Sequence, residues 1–278
     1  MSAVHGRLRL TVLGCSTALP APDAAAAGFL VELDDTAVLF DVGQGVANRL
    51  GRVADARELA GVVIWHMHAD HYLDLAGLRY LFPWAGRGAS RLPVHLPPGG
   101  TSRLDALASA ISERIGFFDD AYDVDEYDPT TTLTIGQMKI RFAPGRHYVP
   151  AWGVSVETPD GARLVYTGDT GPSASMIEFA RGADVLLVEA TLNDSSEDDV
   201  ERGHLTAAEG IDLARAAEVG AALLVHYPPD RRAELDRLCA EAGPWIAAAV
   251  PGQSLTVGQG SEARAASSAA VSDAAVAS

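Results

Sequence analysis

Cysteine is scarce in this sequence. Cys15 and Cys239 are the only two in 278 residues, too few for a disulfide framework. That usage suits a reducing compartment, and both are expected to be inert core thiols. Positive charge is short as well: 21 Lys and Arg stand against 37 Asp and Glu, a net charge of −16. Proteins that grip long nucleic acids draw their phosphate contacts from Lys and Arg, so extended RNA or DNA binding is disfavoured. No apolar run approaches the roughly 18 residues of a membrane span. Arg7 and Arg9 precede Leu10–Cys15 much as in a lipoprotein signal, but the apolar stretch is four residues. A signal core needs about 7–15, so these residues read as a first strand. A soluble, cytoplasmic protein is expected.

With 48% hydrophobic and 21% charged residues, the chain has ample material for a buried core. Residues 261–278 are Ala or Ser at 13 of 18 positions, which predicts a disordered tail behind one domain spanning 1–260. Within that domain, short apolar runs alternate with helical patterns. Strands are predicted at Leu8–Leu13, Phe29–Leu33, Ala37–Phe40, Val62–Trp65, Val94–Leu96, Met138–Phe142, Gly153–Val156, Leu164–Tyr166, Val185–Val188 and Ala222–Val225. Helices are predicted at Leu73–Phe82, Ala174–Ala180, Ala207–Val219 and Arg231–Ala242. Thr206 and Glu209 have the spacing of a capping box for the third. Two blocks of strands, each followed by helices, suggest an α/β fold: two sheets face to face with helices outside, a four-layer αββα sandwich.

The chemistry concentrates in His66-Met67-His68-Ala69-Asp70-His71, directly after the strand Val62–Trp65. Three imidazoles and a carboxylate in six residues suit zinc and similar divalent metals. In an extended loop His66 and His68 project to one side, while Asp70 and His71 can turn toward a second metal. Further ligand types sit at strand ends: His147 after Met138–Phe142, Asp169 after Leu164–Tyr166, and His226 closing Ala222–Val225. His204 lies in Gly203-His204-Leu205-Thr206, which leaves His5 and His95 unused. A structural zinc site would be richer in cysteine, and neither Cys lies nearby.

Over residues 7–258 the sequence resembles the metallo-β-lactamase superfamily, and within it the ribonuclease Z-like branch, which also holds cyclic-nucleotide phosphodiesterases. Phe40-Asp41-Val42-Gly43 matches the family's first motif, and Val188-Glu189-Ala190-Thr191 and His204-Leu205-Thr206 match two later ones with Val188 and Leu205 as departures. The resemblance implies one metal on His66, His68 and His147 and another on Asp70, His71 and His226, with Asp169 bridging. Zinc is the expected metal, with manganese or iron also suited. Asp41 would accept from a ligand imidazole and fix its orientation. Asp70, His204 and Glu189 would carry the catalysis, with His204, held by Glu189, assisting the leaving group.

Three departures narrow the substrate. A carboxylate replaces the Cys of the common zinc β-lactamases, which argues against antibiotic hydrolysis. His147 and Asp169 are 22 positions apart, too close for the long arm that tRNA-processing members use. Pro20–Gly28 also lacks the Arg-Asn pair of those enzymes. The expected function is hydrolysis of a small phosphodiester such as a cyclic nucleotide, by water activated between two cations. The alternatives are a ribonuclease Z-like endoribonuclease, a hydrolase of aryl sulfates or thioesters, and a metal-stabilised binding module. The expected partners are a small anionic substrate and at most a second copy of the chain. Trp65, Trp84, Trp152, Tyr148 and Tyr227 lie near ligands and could stack a base, although core packing is the commoner fate. The acidic run Asp119–Asp128 is expected to be a solvated surface.

Overall fold

The computed structural model describes residues 7–82, 91–198 and 201–258. The predicted tail, His5 and Trp84 lie outside these residues. Strands are numbered along the chain. The first sheet has the order β14 (Ser254–Val257), β1 (Leu8–Gly14), β2 (Gly28–Leu33), β3 (Thr36–Phe40), β4 (Gly61–Val63), β5 (Leu92–Leu96), β6 (Tyr122–Glu126). The second runs β13 (Ile246–Ala248), β12 (Ala221–Val225), β11 (Val185–Glu189), β10 (Arg163–Tyr166), β9 (Trp152–Glu157), β8 (Met138–Pro144), β7 (Leu133–Ile135). Each sheet is mixed: antiparallel pairs lead into a parallel block, β3 to β6 in one and β10 to β13 in the other.

The period-two alternation of the strands explains the layering. Phe29, Val31, Val63 and Trp65 join Val154, Val156, Leu164 and Tyr166 in one buried cluster, and the Trp65 and Tyr166 rings lie 4.5 Å apart. The intervening Leu30, Val62 and Ile64 face the other way, onto Leu50 of α1 (Val46–Leu50), Leu75 and Leu78 of α3 (Leu75–Leu78) and Leu104 of α4 (Gly100–Ile111). On the second sheet, α5 (Ala174–Ala180), α6 (Ala207–Ala216) and α7 (Arg232–Ala242) form the outer layer. The αββα sandwich is the observed architecture. The capping box also forms: Thr206 Oγ1 accepts from Glu209 N and Glu209 accepts from Thr206 N.

Two expectations need correction. Leu73–Phe82 is not one helix; α2 (Ala69–Tyr72) and α3 are single turns followed by a 3₁₀ turn at Arg79–Leu81. Asp74 breaks the run, because its N–H donates to the Val42 carbonyl and its carboxylate accepts from Ala47 N. Tertiary partners outcompete the helix there. Asp119–Asp128 is not merely solvated surface, because Tyr122–Glu126 is the edge strand β6 with Tyr122 buried. Among the described residues no helix is long and apolar enough to cross a membrane.

Candidate metal centre

The carboxyl ends of parallel strands leave a crevice where loops converge, the usual ligand site of open α/β sheets. Here β3 delivers Asp41, β4 the His66–His71 loop, β10 Asp169, β11 Glu189 and β12 His226. His68 is the N-cap of α2, so Asp70 and His71 fall in its first turn and point back toward the loop that holds His66 and His68. Asp169 follows Gly168, whose φ is +60° and whose missing Cβ would sit 2.6 Å from the Trp152 carbonyl oxygen. Only glycine fits there. Asp41 and His226 also hold left-handed backbone, at φ 57° and 49°. For residues with a Cβ that conformation costs about 1–3 kcal/mol and collects at functional sites.

All seven sequence-predicted ligands come together. One donor atom each from His66, His68, His147 and Asp169 lies within 4.8 Å of the others, and the same holds for Asp70, His71 and His226. Asp169 Oδ2 stands between the two groups: 3.6 Å from His66 Nε2, 3.4 Å from His71 Nε2 and 3.4 Å from His226 Nε2. Asp70 Oδ2 is 3.2 Å from His226 Nε2 and 3.7 Å from His71 Nε2. His68 Nδ1 and His147 Nε2 approach to 3.0 Å.

The surroundings fix which nitrogen is free at His71 and His147. His71 Nδ1 is paired with Asp41 Oδ2, the predicted orienting contact, and His147 Nδ1 donates to the Gly203 carbonyl at 2.9 Å. His66 Nδ1 and Nε2, His71 Nε2 and Asp169 Oδ1 are buried with no hydrogen-bond partner among the described residues. Each such orphan costs about 1–3 kcal/mol. Divalent cations between the imidazoles and carboxylates would satisfy His71 Nε2 and one nitrogen of His66, and a nitrogen and oxygen donor set without thiolate suits zinc, manganese or iron. The residues fit two metals.

Electrostatics agree with that fit. Burial, helped by neighbouring imidazoles, holds His66 well below its usual value and lowers His68; burial also lowers His147, so all three stay neutral as ligands must be. Burial pulls the Asp70 carboxyl upward, yet His226 and His71 bring it down to about 2. Asp169 lies well below the carboxylate range: His226, His71 and His66 outweigh its burial. His71 departs from the pattern: burial lowers its pKa, but Asp41 and Asp169 outweigh that and hold it well above its usual value, so a cation at Nε2 must displace a proton.

His204 adjoins this cluster: one of its ring nitrogens, an Asp169 oxygen and a His226 nitrogen also lie within 4.8 Å of one another. Its Nδ1 donates to Glu189 Oε1 at 2.9 Å, and its ring centre is 4.8 Å from that of His147 and 5.8 Å from that of His226. Burial pushes its pKa down, but the hydrogen bond and charge of Glu189 carry it up to about 9. Glu189 is fully buried and also accepts from Thr170 N and Thr191. Of the aromatics, Trp65 and Tyr227 are core residues and Trp152 packs against the core. Tyr148 is 53% exposed and lies beside His147 and His204. Sequence reasoning gave no role to Thr191 or to the Gly203 carbonyl. Thr191 could have been suspected, because two positions after Glu189 at a strand end it points to the same side.

Residues 36–227 match the β-lactamase superfamily domain. The uncharacterized protein Rv1339 of Mycobacterium tuberculosis is 36% identical over 233 residues, covering 81% of this chain and 84% of that one. Ribonuclease Z of Thermoplasma acidophilum is 29% identical over 272 residues, covering 80% and 87%. Among solved structures, the metallo-β-lactamase fold protein YhfI from Bacillus subtilis superposes with a TM-score of 0.77 at 26% identity, over 90% of this chain and 99% of that one. Sequence match, sheet order and converging donors lead to one assignment: the chain belongs to the β-lactamase superfamily, as a hydrolase of the metallo-β-lactamase fold.

Proposed function

We propose that this protein is a dinuclear metal-dependent phosphodiesterase acting on small phosphodiesters, with cyclic nucleotides as the best-suited substrates. His66, His68 and His147 would hold one divalent cation, Asp70, His71 and His226 the other, and Asp169 would serve both. Zinc is the metal that this donor set suits best. When bound, the pair supplies an activated water and positive charge against the non-bridging phosphate oxygens. The observation that carries the reading is the His204–Glu189 pair beside the donor cluster. With Nδ1 committed to Glu189, His204 offers its other ring nitrogen, protonated at neutral pH, to a departing oxygen. As water forms the new P–O bond, cleavage of a ribose phosphodiester expels a strongly basic alkoxide, which needs that proton.

Substrate size follows from the chain between His147 and Asp169. It is spent on the β9–β10 hairpin, whose strands pair from Arg163–Glu157 to Tyr166–Val154. Little is left for an arm that could grip tRNA, and the net charge of −16 repels a long polyanion. The 29% identity to Thermoplasma ribonuclease Z favours a second reading, an endoribonuclease working at RNA 3′ ends. A panel of cyclic nucleotides, short RNAs, precursor tRNA, aryl sulfates and thioesters, assayed with metal-loaded protein, decides between them. Cyclic nucleotides should turn over best. Site-specific cleavage of precursor tRNA as the preferred reaction would promote the second reading, and no turnover of any ester would leave a metal-stabilised binding module.

A further inference from the structure

Glu189 divides its two oxygens between two imidazoles. Oε1 accepts from His204 Nδ1 at 2.9 Å and from Thr170 N at 2.8 Å. Oε2 accepts from the Thr191 hydroxyl at 2.7 Å and from Thr191 N at 3.2 Å. The same Thr191 oxygen lies 2.9 Å from His226 Nδ1 and 3.1 Å from the His226 carbonyl. A hydroxyl has one proton and two lone pairs. The carboxylate is the strongest acceptor within reach and takes that proton, so a lone pair of Oγ1 turns to His226 Nδ1. His226 must then carry a proton on Nδ1, and in the neutral imidazole that a metal requires the free lone pair is on Nε2. Nε2 faces Asp70 Oδ2 at 3.2 Å and Asp169 Oδ2 at 3.4 Å. In that form Nε2 presents its lone pair to two carboxylates, the arrangement that a cation between them satisfies.

We propose that Thr191 is a positioning residue that fixes the tautomer of His226 for metal binding, and that Glu189 thereby orients a metal ligand and the leaving-group acid through separate oxygens. Asp41 does the same for His71 and the Gly203 carbonyl for His147, but only the His226 contact is relayed through a hydroxyl to a carboxylate that serves another imidazole. This rests on His226 being a ligand, as in the reading above.

The test is a zinc titration by chelator competition, without substrate. Thr191→Val keeps the side-chain shape and removes the hydroxyl; it should weaken one of the two zinc ions by roughly 10–100-fold and leave the other alone, the usual cost of losing a partner behind a ligand. Thr191→Ser should restore binding. Kinetically, Thr191→Val should keep the wild-type ratio of rates between alkoxide and nitrophenolate leaving groups, which is His204's signature, whereas Glu189→Gln should disturb both binding and ratio. In zinc-loaded wild type, imidazole ¹⁵N–¹H spectra should place the His226 proton on Nδ1, a readout independent of how well the Val variant folds. Wild type binding two ions with Thr191→Val unchanged, a Ser variant as weak as Val, or a proton found on Nε2 would each overturn the Thr191 role alone. Wild type binding fewer than two ions would instead remove the dinuclear reading.

Discussion

His204 is the residue whose chemistry is most exposed to test. If it protonates the leaving oxygen, its value depends on how much that oxygen needs a proton. His204→Ala should slow diesters with a ribose alkoxide leaving group by roughly 10²–10⁴, the range of general acid catalysis. Bis-nitrophenyl phosphate, whose phenolate leaves unaided, should lose far less, and metal content should stay at the wild-type level. Equal losses on both substrates would mean that His204 only orders the site. Tyr148 poses a separate question. Its half-exposed ring lies 4.9 Å from that of His147 and 5.7 Å from that of His204, and it rests on Gly203, where a Cβ would meet it at 2.6 Å. Stacking of a base on an aromatic ring contributes about 1–3 kcal/mol. Tyr148→Ala should therefore raise KM for cyclic nucleotides by about tenfold or more with little change in kcat, and Tyr148→Phe should keep it near wild type. A KM unchanged in Tyr148→Ala would reduce the ring to packing on Gly203.

At the scale of elements, the helix that follows His204 depends on its cap. Thr206→Ala removes the acceptor for Glu209 N, a loss of about 1 kcal/mol, and should lower the melting temperature by a few degrees. Thermal unfolding at a fixed saturating metal concentration would detect it, since metal itself shifts the midpoint; an unchanged midpoint would mean that other groups satisfy that turn. This cap was legible in the sequence, as were the candidate ligands that converge in the fold, because local rules govern both. The ligands follow continuous apolar strands whose ends are easily read: Val62–Trp65 before His66, Leu164–Tyr166 before Asp169, Ala222–Val225 before His226. Elements whose existence depends on distant partners were not legible. β6 alternates acidic and apolar residues and becomes a strand because β5 offers an edge, from Leu92–Tyr122 to Leu96–Glu126. Short β13 and β14 exist as the outermost partners of β12 and β1. The break at Asp74 needs Val42 and Ala47. Thr191 meets His226 because β11 and β12 run parallel in a register that sets Glu189 against Val225. No spacing rule contains that register.

The whole molecule sets two further outcomes, metal stoichiometry and substrate size. Two donor groups with a shared carboxylate should bind two divalent ions per chain, read by elemental analysis after saturation. Asp169→Ala should weaken both ions, since its Oδ2 faces ligands of each group. His95→Ala should change neither, because His95 is engaged with Asp125 at 2.6 Å on β6, apart from the donor groups. At most one ion after saturation would end the dinuclear assignment. Substrate size is argued from charge. Each phosphate that a protein contacts through Lys or Arg adds about one unit to the salt dependence of binding, so a long RNA held electrostatically loses affinity steeply as salt rises. A chain of net charge −16 has few such contacts to offer. On the function proposed above, attraction for a phosphodiester would come from the metal pair and His204, at short range inside a low-dielectric crevice, where salt screens little. Hydrolysis of a cyclic nucleotide should therefore keep nearly the same kcat/KM between low and physiological salt. Precursor tRNA should be a poor substrate throughout that range. Efficient tRNA cleavage with a steep salt slope would point instead to a basic surface formed in the complex, and would move the protein to the endoribonuclease reading.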